Sequence, residues 1–72
     1  MTFHQGDVVL TRDRYGQERT ILLRGRNQCR PWMWWGQRME DGHVVKDSCP
    51  LCTEDEIVAT QAGDGNFRYI LR

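Results

Sequence analysis

Seventy-two residues with 39% hydrophobic content allow one small domain, and a single apolar core of that size is marginal without a covalent or metal staple. The length excludes a Rossmann domain, a TIM barrel, a kinase or any two-lobed enzyme, and no apolar run approaches the roughly 20 residues of a membrane span. Ten basic and ten acidic residues cancel, so the chain is not a basic nucleic-acid binder of the usual kind. The charges are nevertheless segregated. Seven arginines stand against two acids from Arg12 to Arg38, and seven acids against Lys46 alone from Glu40 to Asp64. Two outcomes fit that pattern: the halves pair internally, or the molecule carries one cationic and one anionic face.

Taken along the chain, the periodicity is that of strands. Asp7–Arg12 is short and rich in β-branched residues, and Tyr15-Gly16 follows as a turn. Arg19–Arg24 is the second run, closed by Gly25 and Asn27. Trp32–Arg38 starts directly after Pro31, a residue suited to the first position of a strand. Glu40-Asp41-Gly42 is a hairpin signal, from which His43–Lys46 returns. Thr53–Glu56 has the spacing of a capping box, but Ile57, Val58 and Thr60 are β-branched, so at most one helical turn is expected there. Glu56–Thr60 and Phe67–Leu71 complete the set around the Gly63–Asn66 turn. Residues 1–72 thus read as one all-β domain, a small antiparallel barrel or roll of five to six short strands. Its order of elements, a Gly-Asp-Val-Val-Leu first strand, a charged loop and then a meander, is similar to that of SH3-like barrels, a likeness that implies a fold and no function.

Three cysteines, Cys29, Cys49 and Cys52, with no secretory signal among the first residues, argue for a reducing cytoplasm and against a disulfide framework. Cys49-Pro50-Leu51-Cys52 resembles the thiolate knuckle of zinc ribbons and rubredoxin-like sites. The likeness covers half a ribbon, because Trp32 stands where Cys29 would need a partner thiol. A hairpin turning near Asp41-Gly42 pairs residues whose numbers sum to 83 or 81 and draws all three sulfurs to its open end. That convergence predicts a structural Zn²⁺ site on Cys29, Cys49 and Cys52. His4 is the preferred fourth ligand. His43 sits at the turn end, about 20 Å away at about 3.3 Å per residue, and Asp47, a glutamate near residue 54 or a water are further options. The same Cys-x-x-Cys looks like the redox dithiol of glutaredoxins, but twenty residues after Cys52 are too few for that fold.

Strand alternation sends Trp32 and Trp34 to one face and Met33 and Trp35 to the other, so one pair is core and the other awaits a cover. Tryptophan and arginine dominate binding hot spots. The expected binding surface is Trp32, Trp34, Trp35, Tyr15, Arg24, Arg26 and Arg30. No general acid–base pair or phosphate-cradling loop appears. The sequence therefore predicts a non-enzymatic, zinc-stabilised interaction or regulatory module that meets a protein partner or a second copy of itself. The alternative is a small RNA- or DNA-binding protein that uses Arg12–Arg38 with tryptophan stacking.

Overall fold

A computed structural model describes residues 2–71. The chain is all-β: β1 (Val8–Arg12), β2 (Glu18–Arg26), β3 (Met33–Glu40), β4 (His43–Val44), β5 (Leu51–Thr53), β6 (Ile57–Gln61) and β7 (Phe67–Tyr69), with a 3-10 turn at Glu54–Glu56. One antiparallel sheet runs in the order β4-β3-β2-β1-β6-β7, with β5 also paired to β3, and it does not close into a barrel. Among the described residues no helix is long and apolar enough to cross a membrane.

Alternation builds the interior. Val9, Ile21, Leu23, Trp34, Cys52 and Ile57 point inward from five strands, and Phe3 joins this cluster from the segment before β1. The segment before β1 is held to β2 by hydrogen bonds from Gly6 N–H to the Leu23 carbonyl and from Leu23 N–H to the Asp7 carbonyl, both 2.8 Å. Thr11 is also buried, and its hydroxyl donates to the Arg19 carbonyl at 3.3 Å, so its polar atom is satisfied.

The β3–β4 turn forms as the Asp-Gly signal requires. Asp41 and Gly42 both have positive φ, 51° and 80°, the signature of a two-residue hairpin turn that matches strand twist. Glu40 faces His43 and Met39 faces Val44, numbers that sum to 83. Farther along the same edge, Met33 faces Thr53, Trp34 faces Cys52 and Trp35 faces Leu51, numbers that sum to 86. Three extra residues therefore leave the ladder between Val45 and Pro50. Ser48 closes the gap: its hydroxyl accepts from the Arg38 N–H at 2.9 Å and donates to the Val45 carbonyl at 2.6 Å. The strand expected over 43–46 shortens to His43–Val44, and β5 is an additional strand that includes Cys52 of the expected metal knuckle.

The expected helical turn is present. Thr53 N–H donates to Glu56 Oε1 at 2.9 Å and the Thr53 hydroxyl to the same oxygen at 3.3 Å. A second irregularity interrupts β2–β3: Leu23 faces Gly36 but Gly25 faces Trp35, so Arg24 is bulged out.

Candidate interaction surface

The tryptophan strand divides its three indoles between different environments. Trp34 is 3% exposed and belongs to the core, which corrects its expected place on a binding surface. Its ring stacks under the Arg26 guanidinium, 4.6 Å from ring centroid to Cζ, and its indole N–H donates to Glu54 Oε2 at 3.0 Å. Arg26 Nη2 lies 3.5 Å from that same carboxylate oxygen, and Nη1 donates to the Pro31 carbonyl at 2.9 Å. Arg26 is thereby committed to the fold, a second correction to the expected contact set. Arg26–Glu54 also ties the arginine-rich half of the sequence to the acidic half, whereas Arg12–Glu18 and Arg38–Glu40 pair within the arginine-rich segment or at its margin.

Trp35 points the other way. It is 42% exposed, and Leu51, directly opposite on β5, is 63% exposed. The Trp35 ring packs against Gly25 of β2: a Cβ added at Gly25 would sit 2.8 Å from Trp35 Cε2, so glycine leaves the room the indole needs there. Arg24, bulged beside Gly25, is exposed next to this pair. The outward Trp35–Leu51 couple, with Arg24 at its margin, is the apolar centre of the candidate surface. Sequence reading missed Leu51 because it lies inside Cys-x-x-Cys. It also read Gly25 as a strand terminator, although a glycine inside a strand is a signal of close backbone or ring approach.

The remaining expected contacts are Trp32, Tyr15 and Arg30, all exposed. Trp32 is exposed and precedes β3, where strand alternation no longer fixes its direction; its carbonyl accepts from the Glu54 N–H at 2.8 Å. Tyr15 is exposed at the tip of the 13–17 turn, with Arg14 over its ring at 5.1 Å. It borders a hollow formed with Thr53 and Glu56. Arg30 is exposed in the loop before β3, which is shaped by Asn27 Oδ1 accepting from the Cys29 and Arg30 N–H groups.

The expected metal ligands are not brought together. Among the described residues no three His, Cys, Asp or Glu side chains are grouped to hold a metal ion. The reason is the shift in pairing along β3. With numbers summing to 86, the residue opposite Cys52 is Trp34, and Cys29 remains in the exposed loop before β3. Cys52 is a core residue, and burial, with smaller contributions from Glu56 and Glu54, pushes its thiol up to about 11. It is a protonated apolar filler at neutral pH, unlike a thiolate ligand. Cys49 is exposed. His4 stands beside Asp7, with Nδ1 3.9 Å from Oδ2. His43 sits at the turn end of the hairpin, as the spacing argument requires. Compared with protein-family models, with curated proteins and with solved structures, the chain matches none.

Proposed function

We propose that this chain is a non-enzymatic binding module that holds a protein partner against the outward Trp35–Leu51 pair, with Arg24 as the flanking charge. The observation that carries the reading is the placement of a partly exposed indole and an exposed leucine opposite each other on one ladder, the indole held in place by Gly25. Large apolar side chains ringed by polar groups are the usual centre of a protein contact. The burial of Trp34 and the engagement of Arg26 with Glu54 weigh against a continuous stacking track for single-stranded nucleic acid. No step in this role runs through a metal. The order in which β1 lies between β2 and β6, with a 3-10 turn leading into β6, supports an SH3-like roll as the architecture.

The test is capture of partners by the wild-type chain and by Leu51→Asp, checked for fold by circular dichroism. A protein retained by the wild type after nuclease treatment and in about 0.5 M salt, and lost with Leu51→Asp, is the expected result, because apolar contacts resist screening whereas phosphate contacts do not. Capture that disappears with nuclease or salt, and is indifferent to Leu51→Asp, overturns the reading in favour of nucleic acid.

A further inference from the structure

β7 is the last strand in the sheet order, and among the described residues its one strand neighbour is β6. Ile70 N–H donates to the Val58 carbonyl at 2.9 Å, and Ala62 N–H to the Asn66 carbonyl at 2.8 Å. Between them Ala59 faces Tyr69, Thr60 faces Arg68 and Gln61 faces Phe67. Hydrogen-bonded and non-bonded pairs alternate in an antiparallel ladder. Residues 66, 68 and 70 therefore turn their backbone groups toward β6, and Phe67 and Tyr69 turn theirs away from the sheet. The outward series also carries apolar side chains: Phe67 is half-buried, Tyr69 is 61% exposed and Leu71 is 96% exposed. Sheet edges are commonly blunted by proline, charged side chains, bulges or brevity; β7 is three residues long and its one charge is Arg68. From Phe67 to Leu71 there is neither proline nor lysine, and the pairing with β6 is regular.

We infer that β7 is a self-pairing edge through which two copies of this chain join antiparallel, about a two-fold axis at Tyr69. The alignment follows from backbone parity and charge. Outward residues must pair with outward residues, so the axis falls on a residue rather than between two. An axis at Arg68 sets arginine against arginine, which is unfavourable. An axis at Phe67 runs Tyr69 into the Gly65 turn of the other copy, where the ladder ends. An axis at Ile70 leaves only Tyr69–Leu71 facing among the described residues. An axis at Tyr69 sets Tyr69 opposite itself, Phe67 opposite Leu71, and Arg68 opposite Ile70, the longest facing stretch with no like charges opposed. The zero formal net charge leaves no long-range repulsion between copies. The edge shares no residue with the Trp35–Leu51–Arg24 site, so the inference does not rest on that reading.

Sedimentation of the wild-type chain from about 10 µM to about 1 mM, the range that small edge contacts call for, is expected to show a reversible dimer. Tyr69→Pro removes an outward N–H that β6 does not use, and is expected to weaken the dimer at least about tenfold while the circular dichroism spectrum is retained. A second measurement covers failure of that variant to fold. In a Cys29→Ser, Cys49→Ser background, Tyr69→Cys is expected to form an intermolecular disulfide readily, because facing hydrogen-bonded residues sit about 5.5 Å apart at Cα. Arg68→Cys is expected to crosslink poorly. A monomer at the highest concentration, a dimer indifferent to Tyr69→Pro, or crosslinking through Arg68→Cys in preference to Tyr69→Cys overturns the inference. Failure of the Leu51→Asp capture experiment leaves it untouched.

Discussion

Replacing Glu54 tests whether the Arg26–Trp34–Glu54 cluster stabilises the fold. In Glu54→Ala the indole N–H of a nearly fully buried tryptophan loses its carboxylate acceptor, 3.0 Å away. A hydrogen bond to a charged group is worth about 1.5–3 kcal/mol. The Arg26–Glu54 pair is 39% and 30% exposed and so is partly screened, adding at most about 1 kcal/mol. The combined loss is about 2–3 kcal/mol, in a domain whose size supports a core contribution on the order of 3–5 kcal/mol. At about 4–8 °C per kcal/mol, the melting temperature should fall by about 8–24 °C. Glu54→Gln keeps an acceptor at the same place and should cost about 1 kcal/mol or less. Thermal melts followed by near-ultraviolet circular dichroism, with indole fluorescence in parallel, separate the two variants. If Glu54→Ala melts within about 2 °C of the wild type, or if Gln is as damaging as Ala, the hydrogen bond is not a source of stability and the reasoning fails.

Cys52 supplies a pH dependence. Its folded thiol lies at about 11 against an ordinary 9.0, so the unfolded chain gives up this proton first as pH rises. The contribution is fully present below pH 9.0, is lost progressively between 9.0 and about 11, and is absent above; denaturant titrations in that window should show the slope, and Cys52→Ala should remove it. A thiol reagent at neutral pH is expected to modify Cys29 and Cys49 promptly and Cys52 only on unfolding, as peptide mass mapping would show. Chelation, and separately Cys49→Ser, are expected to leave the melting curve unchanged; a chelator-induced drop would restore the zinc staple. Gly25→Ala is expected to lift the Trp35 ring from β2 and increase acrylamide quenching of tryptophan fluorescence, with unchanged quenching as the contrary result.

Strands and turns with local causes were legible in the residues. Val8–Arg12, the Asp41-Gly42 turn and the single 3-10 turn at Glu54–Glu56 all lie where periodicity, positive-φ propensity and the capping box place them. The inward direction of Trp34 and the outward direction of Trp35 follow from period-two alternation. Pairing over distance was less accessible. The sum of 83 held beside the turn and failed beyond Val45, where the chain makes an excursion in which the Ser48 hydroxyl accepts from the Arg38 N–H, a side-chain contact that no propensity encodes. That one difference moved the cysteines apart and β5 into view. The role of Glu54 was hidden for a similar reason: twenty positions separate it from Trp34, and acid runs in sequence read as solvated.

Had the hairpin continued unbroken from its Asp-Gly tip, Cys49 would lie across from Trp34 and Cys52 would look out to water. The three-residue excursion, where Ser48 bonds both Arg38 and Val45, exchanges them, so the shift in pairing settles which sulfur becomes interior filler and which stays open to the surroundings. The same swap turns Leu51 outward beside Trp35, which makes the chain's most distinctive apolar feature a by-product of that shift.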